Sequence, residues 1–409
     1  MKQKPQRFLL ILISIILLID LLTMRGLNLF LTDPDPLFTT IISSIHWGIS
    51  GLFLLLIVAG MIFKINMKGV ASSRRMFAIS GIFVLFYFPK LIFVAFNVVD
   101  ELIFQTARFM SYEGEYMLNL SWAGAVLAVI AFFAVIYGML VEKHWVKTTH
   151  QTLYFPGLPK AFDGLKLVHI SDYHLGSISP RSSYPEKVTR KINNLGADMI
   201  MFTGDLINNV AEEATPWIYT LKAMKAKKGK FAISGNHDYG DYVDWNDEQE
   251  KKANEEKFRK IFQQSGFELL DNKGIEIHKN NESIGILGIE NWGNPPFPQY
   301  GKLNVAMEQI KNSRFHILLS HDPSHWKGEV IPETNIALTL SGHTHGFQFG
   351  LLAGKLKWSP IQYKYPEWTG HYKNGNQHLY INRGLGYIGF PGRIGMPPEI
   401  TAITLKRER

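Results

Sequence analysis

Five short polar clusters in the C-terminal half of this 409-residue chain carry residue types that bind metal ions. They read Asp172-Tyr173-His174, Gly204-Asp205, Gly235-Asn236-His237-Asp238, His321-Asp322 and Gly342-His343-Thr344-His345. In extended chain, an Asp-x-His or His-x-His triplet puts both side chains on one side, within reach of one ion. The glycines at 204, 235 and 342 permit sharp turns and close backbone approach. Nitrogen and oxygen donors without sulfur suit Mn, Fe or Zn better than Ca, which prefers oxygen. Seven candidate ligands, Asp172, His174, Asp205, Asn236, His321, His343 and His345, exceed the needs of one ion with open positions. They suit two divalent ions that share a carboxylate. Such a pair can hold both non-bridging oxygens of a phosphate and generate a hydroxide nucleophile.

These residues act together only if a fold gathers them. Each cluster follows a β-rich run: Leu165 to Ile170, Met199 to Thr203, Lys230 to Ser234, Phe315 to Ser320 and Ile336 to Ser341. Further strands are predicted at Ser283 to Ile289, His378 to Asn382 and Ile400 to Lys406. Helical patterns lie near residues 183–195, 212–227 and 247–265. This alternation predicts an α/β layered domain. The carboxyl ends of strands in such a sheet surround one crevice, where ligands bind. Lys222, Lys225, Lys227, Lys228 and Lys230 close the second helical pattern and read as a solvated face that complements the helix dipole.

The ordered set D-x-H, G-D, G-N-H-D, H and G-H-x-H resembles the calcineurin-like metallophosphoesterase superfamily, over about residues 160–409. The resemblance implies a two-sheet β-sandwich flanked by helices. It implies that Asp172, His174, Asp205 and His345 bind one ion, and that Asp205, Asn236, His321 and His343 bind the other, with Asp205 bridging. His237 matches the family's non-ligand histidine, which stabilises the phosphoryl oxygens or protonates the leaving group. Asp238 would orient it, and Asp322 would be a supporting residue or a cap. The tail, with Asn382-Arg383-Gly384-Leu385-Gly386 and Pro397-Pro398-Glu399-Ile400, is similar to a membrane-associated bacterial branch that includes UDP-2,3-diacylglucosamine hydrolases. Gly346-Phe347-Gln348 departs from the Gly-Gly-Gln of that branch, so its substrate is not carried over. Arg383 is either a grip for a phosphate or carboxylate or half of a structural ion pair. The stretch holding Leu351, Leu352, Trp358, Tyr363, Tyr365 and Trp368, with Lys355, Lys357 and Lys364, is either buried packing or a lip suited to an anionic membrane interface. Asn294-Pro295-Pro296-Phe297-Pro298 is a loop that could cap the site.

The first 141 residues read differently. Four apolar stretches, near 8–24, 38–63, 76–99 and 121–141, are long enough to span a bilayer. The expected organisation is a four-span region over 1–141, a linker over 142–164 and a hydrolase domain over 165–409. The first stretch is too long for a signal-peptide core and lacks a cleavage site. Basic residues recur at Lys2, Lys4 and Arg7, at Lys64, Lys68, Arg74 and Arg75, and at Lys143 and Lys147. The alternate loops hold Arg25 with Asp33 and Asp35, and Arg108 with Asp100, Glu101, Glu113 and Glu115. That bias puts the N-terminus and the hydrolase domain on the cytoplasmic side of the cell membrane. Within the spans, Asp20 is expected to reach the interface. His46 is a further polar residue, and Lys90 either pairs with a carboxylate, marks a kink or meets a lipid phosphate.

The chain contains no Cys, which excludes disulfides and thiolate metal sites. The net charge of +8 comes without a clustered basic block, so no nucleic acid is expected, and no obligate protein partner is inferred. The leading expectation is hydrolysis of a phosphate ester or pyrophosphate at the membrane, on a phosphorylated substrate that is lipid-linked or amphipathic, with membrane lipid as the other partner. Two alternatives are a tethered phosphatase or phosphodiesterase for soluble nucleotides or phosphoproteins, and a non-catalytic sensor of a phosphorylated ligand. Lipid dependence of activity separates the first alternative; binding that survives loss of His237, without product, marks the second.

Overall fold

The computed structural model describes residues 5–30, 35–62, 69–114, 119–354 and 356–408. Of the charges used above, Lys2, Lys4, Asp33, Lys64, Lys68, Glu115 and Lys355 lie outside the described residues. The chain divides into two units, Met1–Asn66 with Ile79–Tyr137, and Met67–Ala78 with Gly138–Arg409.

The first unit is helical. Its elements are α1 (Pro5–Phe30), α2 (Pro36–Ile62), α3 (Ser72–Phe109) and α4 (Asn119–Leu140). All four are long and apolar enough to cross a membrane, and the four expected spans fall on them. A helix satisfies its backbone polar groups internally, which hydrocarbon requires. Helix α3 has 38 residues and is about 57 Å long at the helical rise, far beyond a bilayer core. Its first turns accordingly belong to the second unit.

Asp20 does not reach an interface. Because α1 runs on to Phe30, Asp20 lies well inside the helix and is fully buried. Tyr87 Oη donates to its Oδ2 (2.9 Å) and Lys90 Nζ to its Oδ1 (2.7 Å). His46 Nε2 is 3.8 Å from Oδ1. Lys90 thus pairs with a carboxylate, and three helices share one polar node amid Ile16, Phe53 and Tyr87.

The second unit is a sandwich. In chain order its strands are β1 (Lys147–Phe155), β2 (Lys166–Ile170), β3 (Met199–Phe202), β4 (Gly229–Ala232), β5 (Glu268–Leu269), β6 (Lys273–Lys279), β7 (Glu282–Gly288), β8 (His316–Leu319), β9 (Leu338–Ser341), β10 (Leu351–Ala353), β11 (Leu356–Trp358), β12 (Gly370–Asn374), β13 (Gln377–Ile381) and β14 (Glu399–Arg407). One sheet has the order β1-β14-β2-β3-β4-β5 and the other β12-β13-β9-β8-β7-β6. Both are mixed: β2 to β5 run parallel, as do β13, β9, β8 and β7, with antiparallel pairs at β14–β2, β12–β13 and β6–β7. Strands β10 and β11 form a separate hairpin.

Strand composition explains the layers. Side chains alternate across a strand, so a strand apolar on both sides must be covered on both. Met199 and Met201 of β3 face the other sheet, packed with Phe231, Ile286, Leu319, Leu340 and Ile403. Ile200 and Phe202 face outward, onto Val188 and Ile192 of α5 (Tyr184–Asn194) and Phe258 and Phe262 of α7 (Glu248–Gln264). The short α6 (Ile218–Lys222) precedes α7. On the far side, Leu287, Leu318 and Leu379 pack against Leu303 and Ala306 of α8 (Leu303–Glu308).

Two segments depart from expectation. Residues 147–155, expected within a linker, form β1 and pair with β14 along nine residues. Leu153 and Phe155 enter the inter-sheet core, which is why the segment is held in the sheet. The helix expected over 212–227 is a 3-10 turn, Ala211–Trp217, followed by α6. Pro216, lacking an N–H, sits where a continuous helix would need one. Lys230 Nζ donates to the carbonyls of Leu221, Lys222 and Ser265, capping two helix ends.

Replacing Asp20 by Leu strands the Lys90 ammonium and should cost about 3 kcal/mol. Adding Lys90→Leu should recover most of that loss. Unfolding midpoints of the detergent-solubilised single and double variants check both.

Candidate metal centre

The five polar clusters sit just beyond the carboxyl ends of β2, β3, β4, β8 and β9, three from one sheet and two from the other. Backbone hydrogen bonds lace the loops together. Asp172 N–H donates to the Gly204 carbonyl (2.9 Å), His174 N–H to the Asp205 carbonyl (3.1 Å), and Gly342 N–H to the His321 carbonyl (2.9 Å). His237 N–H donates to Asp205 Oδ1 (2.9 Å) and His343 N–H to Asp172 Oδ1 (3.0 Å). Five of the seven candidate ligands, Asp172, His174, Asp205, His343 and His345, have φ between 47° and 69°. That left-handed region is unfavourable for non-glycine residues and persists only where the surroundings enforce it.

The donor atoms converge in two groups. His345 Nε2 is 3.2 Å from Asp172 Oδ1 and 3.1 Å from His174 Nε2. His321 Nε2 is 3.2 Å from Asp205 Oδ2, and His343 Nδ1 is 2.9 Å from Asn236 Oδ1. Asp205 Oδ2 is also 3.5 Å from His174 Nε2, so one oxygen stands between the groups. The ligand atoms of Asp172, His174 and His345, and those of Asp172, Asp205 and His321, lie within 4.8 Å of one another.

Outer partners aim the rings. His174 Nδ1 bonds Asn208 Oδ1 (3.1 Å) and His321 Nδ1 donates to the Thr203 carbonyl (2.6 Å), leaving each Nε2 to face the cluster. His343 is turned the other way. Its Nε2 meets Tyr365 Oη (3.0 Å) and lies 3.5 Å from Asp322 Oδ2, while Nδ1 faces Asn236. Asp322 is both support and cap, since its Oδ1 accepts from Ser324 N–H and Oγ–H.

Burial penalises charge on every member, and the neighbours decide which charges survive. Burial opposes ionisation of Asp205, yet His321 and His237 hold its carboxyl well below the usual range. Asp172 is held low in the same way by His345 and His321. Burial, opposed by Asp205 and helped by the neighbouring His345 and His237, pushes His174 down to about 3. Burial acts against His321 too, but Asp205 raises it to about 10. The two carboxylates thus call for positive charge in a dry site. His321 Nε2 is buried without a well-formed hydrogen bond although Asp205 is beside it. A divalent ion between them would satisfy both, so the residues present fit the metal.

Two assignments change. Asp238 does not orient His237. Its carboxylate accepts from the backbone N–H groups of Asp205, Leu206, Ile207 and Gly235, and so braces the loop after β3. His237 Nδ1 instead donates to the Asn208 carbonyl (2.8 Å). Arg383 is a structural ion pair: its Nη1 is 3.1 Å from the buried Glu399 Oε2, and it is absent from the described lining of the cavity over the metal cluster. The residues that sequence reasoning passed over are Asn208, Glu213, Tyr365 in its contact with His343, and Arg393. Arg393 is fully buried; its Nη2 lies 3.3 Å from His345 Nδ1 and donates to the carbonyls of Arg383 and Gly386. Asn208, three residues after Asp205, was the one with a positional signal.

The cavity over the cluster has a volume of about 380 Å³. Asp205, Asn236, His237, His343 and His345 form its polar side, and Phe297, Phe347, Ile361, Tyr365, Ile388 and Phe390 an apolar one. The aromatic stretch is divided. Tyr365 and Trp368 are buried, whereas Leu351, Leu356, Trp358 and Tyr363 are exposed.

A two-sheet sandwich with Asp, His and Asn gathered at its strand ends defines a metal-dependent phosphoesterase. Residues 165–347 match the family described as "Calcineurin-like phosphoesterase", and residues 6–143 the one described as "Probable Calcineurin-like phosphoesterase, transmembrane domain". The uncharacterized metallophosphoesterase YkuE of Bacillus subtilis is 31% identical over 66% of this chain and 89% of that protein. A transmembrane protein with metallophosphoesterase domain from Danio rerio is 27% identical over 88% of this chain and 80% of its own length. The UDP-2,3-diacylglucosamine pyrophosphatase LpxG of Chlamydia trachomatis is 28% identical over 59% of this chain and 85% of its own. The chain belongs to the calcineurin-like metallophosphoesterases, as a membrane protein with the family's N-terminal transmembrane domain.

A Cβ at position 342 would strike Ser171 Oγ and Asp172 Oδ2. Gly342→Ala should therefore lower the Mn bound per chain, read by elemental analysis, while the far-ultraviolet circular dichroism stays native. A pH effect arises at Glu213, which accepts from Asn208 N–H (2.6 Å) and Asn209 N–H (3.2 Å). Burial pushes its carboxyl from 4.5 up to about 7, against those hydrogen bonds. A raised acid contributes stability that is fully present below the unfolded value and lost as pH rises through the folded one. Wild type should thus lose up to about 3 kcal/mol relative to Glu213→Gln between those two pH values. Parallel pH series of melting temperature check the difference.

Proposed function

We propose that this membrane-anchored metallophosphoesterase hydrolyses a phosphate ester or pyrophosphate in a lipid-linked or amphipathic substrate, using two divalent ions, Mn, Fe or Zn. Asp172, His174, Asp205 and His345 would hold one ion, and Asp205, Asn236, His321 and His343 the other. Such a pair supplies an activated water at neutral pH and neutralises phosphoryl charge. The buried carboxylates and the oriented imidazoles keep the donors in place without reorganisation.

His237 lines the cavity and is not part of either donor group. Its Nδ1 is committed to the Asn208 carbonyl, which leaves Nε2 for a substrate oxygen. From there it can stabilise a phosphoryl oxygen or give a proton to the leaving group. The His174 and Tyr242 rings pack against it, with centroids 5.1 and 4.5 Å away, and restrain the ring.

The observation that carries the substrate reading is the apolar half of the cavity, set directly beside the polar half. A small phosphate ester has nothing to place there; an acyl or prenyl portion does. The relative named as a UDP-2,3-diacylglucosamine pyrophosphatase is consistent with that class. Within the second unit, Arg393 N–H donates to the Gly138 carbonyl (3.1 Å) and Lys143 Nζ to the Pro391 carbonyl (3.1 Å). Charge bias supports a catalytic domain on the cytoplasmic side, and a reporter fused after Lys147 that is active only in the periplasm would overturn that sidedness.

Detergent-purified, Mn-supplied protein should hydrolyse a panel of a chromogenic monoester, a chromogenic diester, a UDP-linked acyl sugar and phosphatidic acid, with an amphipathic member preferred. Asp205→Ala should lose metal and activity together. His237→Ala should keep metal and lose about 10²- to 10⁴-fold in kcat. Two metals bound with no turnover of any member would move the protein to the binding-and-sensing alternative.

A further inference from the structure

The cavity has one feature that ester hydrolysis by itself does not require. Lys364 is the only Lys or Arg among its described lining residues. It forms no ion pair with an Asp or Glu among the described residues, although other lysines do so, Lys251 with Asp241 and Lys327 with Glu367 among them. Its ammonium is instead held over aromatic faces, 5.0 Å from the Phe297 ring centroid and 5.5 Å from that of Tyr365. Both rings lead to the metal cluster. Phe297 meets His343 edge-on at 4.6 Å, and Tyr365 Oη lies 3.0 Å from His343 Nε2.

The backbone under Lys364 is fixed as well. Lys364 N–H and Tyr365 N–H both donate to the Ile361 carbonyl (3.0 and 2.8 Å). Tyr365 Oη donates to Asp322 Oδ2 (3.2 Å), and Ser359 Oγ donates to the Gly346 carbonyl (2.9 Å). The ammonium is therefore presented from a braced turn. Aromatic faces attract a cation without neutralising it, so its charge remains available to an anion.

Charge balance says which anion. Two divalent ions against Asp172 and Asp205 leave enough positive charge for one phosphoryl group. An adjoining anionic group finds no metal left for it, and Lys364 is the cation at hand. We propose that Lys364 forms a second anion subsite, so that the site selects a substrate carrying a further phosphate next to the scissile one, a diphosphate, with its apolar portion along Phe347 and Phe390. This deepens the proposed phosphoesterase reading and rests on it.

The test uses non-hydrolysable ligands, so that its outcome is separate from turnover. Methylenediphosphonate and methylphosphonate are titrated calorimetrically into full-length, Mn-loaded protein in detergent. Wild type should bind the diphosphonate at least about tenfold more tightly than the monophosphonate. Lys364→Gln should reduce that ratio to about twofold or less, Lys364→Arg should keep most of it, and the surface variant Lys252→Gln should match wild type. The subsite is overturned if wild type shows no diphosphonate preference, or if Lys364→Gln retains it. A normal set of ratios with no hydrolysis of any ester would instead remove the proposed activity and leave the anion subsite standing.

Discussion

A buried carboxylate, that of Asp205, sets the terms for the catalytic unit. It is almost wholly removed from water, and two imidazoles approach the same oxygen. Its other oxygen accepts the His237 amide, and its own amide donates to Asp238. Removing such a charge from water costs several kcal/mol unless positive charge and hydrogen bonds replace the lost hydration. Asp172 repeats the problem a few Å away. The surrounding imidazoles and the two-metal reading are both answers to that one demand.

The sandwich makes the arrangement affordable in conformational terms. Five loops adopt tight, partly left-handed turns to bring their donors to a point. None would hold that shape alone. Each is anchored to a strand whose two faces are both packed, one against the opposite sheet and one against helices. The cross-links between loops then distribute the strain, as when Asp238 gathers four amides that belong to the turns after β3 and β4. Gly342 is confined to glycine because Ser171 and the Asp172 carboxylate occupy the space beside it.

Around this rigid floor the aromatic segment between β9 and β12 is divided in its burial. Tyr365 and Trp368 are locked inside, with Tyr365 reaching a candidate ligand, while Leu356, Trp358 and Tyr363 stay in solvent. The same stretch therefore serves as support for the metal centre and as the apolar border of the cavity. In the helical unit a different polar node, Asp20 with His46, Tyr87 and Lys90, ties three apolar helices by the same rule: a charge away from water keeps company with its opposite.

Much of this was legible along the chain. Local hydrophobic runs mark the strands and spans, since a strand covered on both faces or a helix in lipid must be apolar throughout. The order Asp172, His174, Asp205, Asn236, His321, His343, His345 marks the donors, since few other uses need those types after successive strands. What the chain alone left open are matters of partner choice between distant residues. Arg383 could have gripped substrate until Glu399 was found beside it. Asp238 could have oriented His237 until it was found on four backbone amides. Asp20 could have reached water until α1 was seen to continue past it. Residues 147–155 read as a linker because a strand that pairs with the distant β14 leaves little local pattern. Side-chain type and spacing determined which chemistry is present. Only the tertiary structure decided which partner each charged group meets, because that choice depends on contacts the chain closes in three dimensions, across the 16 residues between Arg383 and Glu399 as across the 70 between Asp20 and Lys90.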